Sequence, residues 1–144
     1  MNLVPLLLVL LPFFLIVLPV AFEIKRELDK YVPVRVVVMV EENNRKVVIE
    51  TRKRRLEVGV KDFKSASSEE VLEVRINGLS FGKYRLGLYK GPYGYVESYA
   101  TSDLGILIDG ADGKKYFLAF KNVGELAEIL RNKGKIKRVI PVES

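Results

Sequence analysis

The stretch Val34-Arg35-Val36-Val37-Val38-Met39-Val40-Glu41-Glu42-Asn43-Asn44-Arg45-Lys46-Val47-Val48-Ile49 decides the fold class. In an extended chain Val34, Val36, Val38 and Val40 fall on one side, and Arg35, Val37, Met39 and Glu41 on the other. Branched side chains are stiff at χ1 and suit a pleated surface better than a helix. Glu42, Asn43 and Asn44 favour a turn, so Val47–Ile49 begins a second strand that folds back on the first.

The same period continues outward. Leu56, Val58 and Val60 predict a third inward row. The serine- and glutamate-rich residues 61–70 read as a loop. Leu72, Val74 and Ile76 read as a further inward row, and Asn77-Gly78 as a turn that opens a longer loop around Ser80 and Gly82. Tyr84, Leu86 and Leu88 alternate with Arg85, Gly87 and Tyr89. Gly91-Pro92-Tyr93-Gly94 is a turn. Tyr95–Thr101 and Leu104–Ile108 are strands, 109–113 is a hairpin loop, and Tyr116, Leu118 and Phe120 form a last inward row.

Only then does the period change to that of a helix, with Val123, Leu126, Ala127, Ile129 and Leu130 on one face. Asn122 is the expected cap, Glu125 its capping-box partner, and Arg131, Lys133 and Gly134 mark the end. Ile136–Val142 reads as a short edge strand or an ordered tail. The expected fold class is therefore mainly β: six or seven antiparallel strands followed by one amphipathic helix.

Ahead of this lies Leu3–Phe22, LVPLLLVLLPFFLIVLPVAF, without a charged residue. A helix of that length rises roughly 30 Å, the thickness of a bilayer core. No Lys or Arg precedes it and it outruns the usual apolar core of a cleaved leader, so it is expected to stay as one transmembrane helix. Pro5 suits a first turn, Pro12 is expected to kink the helix, and Pro19 to loosen its end. The chain thus divides into an anchor at 1–24, a juxtamembrane linker at 25–33 that extends the helix until Pro33, and a β domain at 34–140. Lys25, Arg26 and Lys30 flank the anchor and place the soluble domain on the cytoplasmic side of the cell membrane.

Composition narrows the chemistry. The 144 residues contain no Cys and no His, which removes disulfides, thiolates, the usual neutral-pH base and the commonest metal ligand. No metal and no cofactor is expected, since 109–113 lacks the spacing and closing Glu of a calcium loop. Glu97, Asp103 and Asp109 show no spacing suited to acid–base work, so the chain does not read as an enzyme. Abundant Lys and Glu with no Cys or Gln resembles the bias of a thermophile. The net charge of +6 suits an anionic partner and equally a well-solvated surface. The most conspicuous local feature is Arg52-Lys53-Arg54-Arg55. These bases could meet anionic lipid headgroups, or could guard a strand edge; Lys114, Lys115, Lys133, Lys135, Lys137 and Arg138 could extend the surface. Tyr84, Tyr89, Tyr93, Tyr95 and Tyr99 beside Arg85 and Lys90 could stack on bases, but they read better as barrel filling, and no nucleic-acid partner is expected.

Gly82-Lys83-Tyr84-Arg85-Leu86-Gly87-Leu88-Tyr89, Tyr99-Ala100-Thr101, Asp112–Leu118 and the helix Asn122–Leu130 together resemble the bacterial and archaeal pleckstrin-homology-like (PH-like) domains. The resemblance covers about fifty residues of the C-terminal half. It implies a partly open antiparallel barrel capped by a C-terminal α-helix, and an interaction or assembly role rather than catalysis. It carries no ligand residue to this chain. The expected function is a membrane-tethered protein-interaction module with the lipid bilayer and a protein as partners; the alternatives are an anionic-lipid surface binder and an enzyme of unrecognised type.

Overall fold

The computed structural model describes residues 4–132 and 134–143, without the side chains of Leu6, Leu7 and Val9. Leu3, where the apolar segment starts, and Lys133, expected in the last turn of the terminal helix, lie outside the described residues. Among the described residues three helices and nine strands follow one another. The first part comprises α1 (Val4–Tyr31), β1 (Pro33–Glu41), β2 (Asn44–Thr51), β3 (Arg55–Ser67) and α2 (Ser68–Val71). The second comprises β4 (Val74–Phe81), β5 (Tyr84–Gly91), β6 (Gly94–Ala100), β7 (Leu104–Gly110), β8 (Lys115–Ala119), α3 (Val123–Arg131) and β9 (Ile136–Pro141).

The expected barrel of six or seven antiparallel strands is not what forms. The strands make one open, mixed sheet of nine, in the order β4-β5-β6-β8-β7-β3-β2-β1-β9. The pair β6–β8 is parallel, Val96 facing Lys115 and Ala100 facing Ala119. A parallel pair cannot be joined by a tight turn, and β7 accordingly occupies the intervening chain and pairs with β8 on its far side.

Two stretches read as loops are strands. β3 continues to Ser67, pairing first with β2 and then, past an irregularity between Val60 and Asp62, with β7. Charged residues at 61, 62 and 64 hide this strand because they lie on its open side. The serines of 65–68 close it with a cap: the Glu70 amide donates to Ser67 Oγ at 3.4 Å and the Ser67 amide to Glu70 Oε1 at 3.4 Å, which starts α2. Asn77-Gly78 is likewise no turn but the middle of β4. Gly78 and Gly87 face each other across β4 and β5 with φ of 107° and 113°. A Cβ on Gly87 would stand 2.5 Å from the Asn77 carbonyl oxygen. Val74 and Ile76, expected inside, are exposed on this strand.

The remaining rows behave as their period predicts. Val36, Val38 and Val40 are fully buried, while Val34 is exposed at the strand start. With Val47, Ile49, Val58, Ile106, Leu118 and the inner face of α3 they make the main core. A second core, absent from the sequence reading, lies on the other side around Tyr89, Val96, Leu107 and Phe117. The central strands β6, β7 and β8 are buried on both faces, so their side chains show no clean alternation.

α3 has the expected apolar face, with Leu126, Ala127, Ile129 and Leu130 buried. Its cap differs from expectation. Asn122 Nδ2 donates to the Pro141 carbonyl at 2.8 Å and Asn122 Oδ1 accepts from the Glu143 amide at 2.9 Å. The side chain is thus committed to the end of β9 and makes no capping bond. Ile136–Pro141 is the edge strand that was one of two readings, paired antiparallel with β1.

The expected transmembrane helix is also corrected. Among the described residues no helix is long and apolar enough to cross a membrane. α1 is continuous from Val4 to Tyr31 and contains Pro12 and Pro19. Beyond Phe22 the same helix becomes charged and packs on the sheet, meeting β2, β4 and β5. The single-pass placement, with the domain on the cytoplasmic side of the cell membrane, loses its basis with the anchor.

The Gly78–Gly87 approach yields a stability test. Gly87→Ala adds a methyl group against backbone at a positive φ, which is expected to lower unfolding free energy by roughly 2–4 kcal/mol. Urea unfolding of the two proteins measures it; a loss below a few tenths would mean the strands do not meet there.

Candidate functional site

The feature that organises this molecule for function is the place where α1 joins the sheet. Pro33, which has no amide hydrogen and disfavours helix in the residue before it, ends α1. The last turn closes with the Val32 amide donating to the Leu28 carbonyl at 2.9 Å. Tyr31 then turns into the edge of the main core and packs on Tyr99 with ring centroids 5.6 Å apart.

The link between β2 and β3 reaches the same spot. Thr51 and Arg54 close it through the Thr51 amide on the Arg54 carbonyl at 2.8 Å and the Arg54 amide on Thr51 Oγ1 at 2.9 Å. This small loop grips α1 from outside: the Lys53 amide donates to the Asp29 carbonyl at 3.2 Å, and Arg52 pairs with the Asp29 carboxylate at 3.7 Å. From inside, the Arg54 guanidinium lies 5.3 Å from the centre of the Tyr31 ring and donates to Glu97 Oε1 at 3.2 Å. Tyr99 donates its hydroxyl to the same carboxylate oxygen at 2.6 Å. Arg54 and Glu97 are both about three-quarters removed from water, so their attraction is weakly screened.

The local electrostatics follow from this packing. Burial pushes the Tyr99 hydroxyl well above its usual range, and its bond to Glu97 pushes the same way. Burial also raises Tyr116, helped by its bond to Asp112 Oδ2 at 2.8 Å. For Arg54 burial opposes the charge, yet Tyr99, Glu97 and Tyr31 together raise it above the ordinary guanidinium value. Tyr99, Tyr116 and Arg54 are thus shifted away from neutral pH. The arrangement is an ionic joint between α1, the β2–β3 link and β6.

The basic run of the sequence thus divides among several tasks. Arg52 holds Asp29, Arg54 holds Glu97, and Arg55 bridges Glu50 at 3.5 Å and Glu57 at 3.3 Å. The Lys53 side chain stands exposed. Arg54 is drawn inward, while Arg52, Lys53 and Arg55 remain exposed. The anchor-flanking bases lie on α1, where Arg26 pairs with Glu23 at 2.7 Å, Lys30 lies 5.3 Å from the Tyr31 ring centre, and Lys25 is exposed beside the joint. Of the wider basic set, Lys115 is paired with Asp109 at 3.5 Å and Lys135 with Glu41 at 3.9 Å.

The tyrosines do not share a surface either. Tyr89 and Tyr99 are buried, Tyr93 sits beneath Lys64, and Tyr95 is exposed near Lys90. Of the three carboxylates noted in the sequence, Glu97 belongs to the joint, Asp109 to an ion pair, and the Asp103 carbonyl accepts the Ser68 amide at 2.7 Å. Among the described residues no group of three or more His, Cys, Asp or Glu could hold a metal ion. A broad groove of about 560 Å³ between the β1–β2 turn and the end of α3 is occupied on one side by Arg45. Its guanidinium already donates to the Leu130 and Lys61 carbonyls at 3.3 and 3.5 Å.

Above the joint stands the long apolar part of α1. Leu11, Phe13, Leu15, Ile16, Leu18 and Phe22 are each 59–68% exposed. At 100° per residue these positions are spread around the helix, so no side of it is polar. Sequence reasoning found this segment, but Tyr31, Glu97 and Tyr99 as partners of Arg54 had no sequence signal, because they come from α1, β6 and the β2–β3 link.

No family model matches this chain, and no curated protein or solved structure matches it. The resemblance to PH-like domains rests on its sequence motifs alone.

One outcome tests the joint and a second the surface ion pairs beside it. Arg54→Met leaves Glu97 half-buried without its cation and is expected to cost about 1–3 kcal/mol; amide exchange at residues 23–31 should accelerate more than exchange in β7. The second concerns acid. Glu50 is held below its usual 4.5 mainly by the Arg35 hydrogen bond, and Glu57 below the same value mainly by Lys46. Lowered carboxylates contribute stability that is complete above pH 4.5 and is lost as pH falls through their folded values. The urea midpoint should drop below that pH, and Glu50→Gln should make the drop shallower; an unchanged slope would exclude Glu50 as a contributor.

Proposed function

We propose that this chain is a non-catalytic interaction module, and that the apolar part of α1 is the element its protein partner encloses. The observation that carries the reading is the exposure of large apolar side chains on every side of that helix. Helices of this kind belong inside something: an amphipathic helix needs one apolar neighbour, whereas one that is apolar all round needs several. Burying each such side chain contributes about 1.5–3 kcal/mol, so even a few offset the cost of association. The joint supports the reading because it holds the helix at a fixed angle to the sheet, so that a partner meets a pre-ordered rod. The partner that fits is a protein presenting a deep apolar groove or a cluster of apolar helices.

The test uses the full chain and a triple variant, Leu11→Glu, Leu15→Glu and Leu18→Glu, which leaves the sheet untouched. In native cells, crosslinking followed by mass measurement should recover the wild type in a defined protein complex in which α1 resists protease. The variant should be free of that complex while keeping the wild-type circular dichroism. Recovery of both forms in the same complex, or partition of the wild type into lipid vesicles with no protein partner, rejects the reading.

A further inference from the structure

A cavity of about 410 Å³ opens beside the joint. Pockets that take small organic ligands enclose roughly 300–1,000 Å³. Segments far apart in sequence meet around it: the charged end of α1, the start of β1, the β2–β3 link, the start of β5 and the chain after β9. Leu28, Val32, Pro33, Val34 and Val142 supply apolar walls. Main-chain bonds hold these walls in place. The Val32 amide donates to the Leu28 carbonyl at 2.9 Å, and the Val142 amide to the Val34 carbonyl at 3.0 Å. Asn122 Oδ1 fixes the next residue by accepting from the Glu143 amide at 2.9 Å. The cavity is therefore formed in advance of any ligand.

The polar lining says what enters. Its charged residues are Lys25, Arg52 and Asp29, two positive and one negative. Arg52 faces the Asp29 carboxylate at 3.7 Å, longer than a hydrogen bond, and its own side chain is 75% exposed. Asp29 thus balances the charge of Arg52 without using up its N–H groups. The Lys25 ammonium has no partner among the described residues, and neither has the Tyr84 hydroxyl, which also belongs to the lining. Ammonium and guanidinium groups only donate, so the polar end of a ligand must accept. One positive charge is left over, so that end is an anion. A bare inorganic anion would leave the apolar walls facing water, so the ligand also carries an apolar chain. The other cavities differ in this respect. Arg45 in the larger groove is committed to carbonyls. Lys64 and Lys115, in a smaller cavity, are committed to Tyr93 and Asp109.

From this lining we infer that the cavity is a binding site for a small organic anion with one apolar chain, of which an alkyl carboxylate is the simplest. The carboxylate accepts from Lys25 Nζ and from the Arg52 guanidinium, bonds of the charge-assisted kind. The chain lies against Val32, Pro33, Val34 and Val142. A singly charged head matches the one unbalanced positive charge of the lining. An alkyl amine would set like charges together, and an alcohol would leave the ammonium unmatched. The site uses the charged end of α1 and none of its apolar part, so it stands apart from the role proposed for that part.

The test titrates octanoate into the full-length protein by calorimetry and follows the amide resonances of Leu28, Val34, Arg52 and Val142. Octanoate should saturate and move those resonances. Octylamine and octanol share its chain and should bind roughly ten-fold more weakly or not at all. Acetate keeps the charge without the chain and should give no measurable binding. Lys25→Met keeps the stem of the side chain and should weaken octanoate roughly ten-fold, while Lys25→Arg should restore it. Val34→Glu sets a carboxylate in the wall and should abolish binding, which covers the case in which one variant fails to fold. The triple glutamate variant of α1 should bind octanoate as the wild type does. Octanol as tight as octanoate, unchanged affinity in both Lys25→Met and Val34→Glu, or no saturable binding would each overturn the inference. Loss of binding in the triple glutamate variant would overturn it as well, and would assign the uptake to the apolar part of α1.

Discussion

Arg54 joins three parts of the chain that are far apart in sequence. Its guanidinium faces Tyr31 at the end of α1, and its charge is met by Glu97 on β6, which Tyr99 also bonds. A cation removed this far from water needs a partner, and the partner it has is itself tied to a buried ring. Everything above the joint depends on that arrangement. Without it the helix would keep its outer contacts at Asp29, with Arg52 and the Lys53 amide, and lose the inner one that Arg54 and Glu97 provide. With it, the orientation of the helix becomes a property of the folded domain.

The sheet answers the same problem of exposure in several ways. At its centre β6, β8 and β7 are covered on both faces, one by α3 and the other by the second core. Toward β9 the edge is charged. At β4 and along α1 apolar groups remain exposed. Exposed surface of that size on a folded domain is a mark of association. The two differ in kind: α1 is a rod that asks to be surrounded, while β4 is an edge of the sheet.

Strong periodicity was legible in this sequence, and weak periodicity was not. Val36, Val38 and Val40 could be placed inside from their spacing, as could Leu126, Ala127, Ile129 and Leu130 on α3. The second half of β3 was hidden because its charged residues lie on an open face, and β4 was hidden because Asn77-Gly78 has the composition of a turn. Both were settled by neighbours: β7 for the first, and Gly87 on β5 for the second. The capping box at Ser67 and Glu70 was present in the residues and is visible once β3 is known to end there. The basic run Arg52–Arg55 could be read as a headgroup contact or as a guard on a strand edge. It sits at a bend, so its side chains diverge to Asp29, Glu97, Glu50 and Glu57.

By itself the sequence determined that the chain is mainly β, that a single amphipathic helix follows most of the strands, and that the first part is apolar. Those properties depend on local spacing and composition, which a chain carries before it folds. The number of strands, the parallel β6–β8 pair and the Arg54 joint were decided only by the tertiary structure. Each depends on which distant segment becomes a neighbour, and burial, hydrogen-bond pairing and charge pairing choose among segments that look alike when read singly.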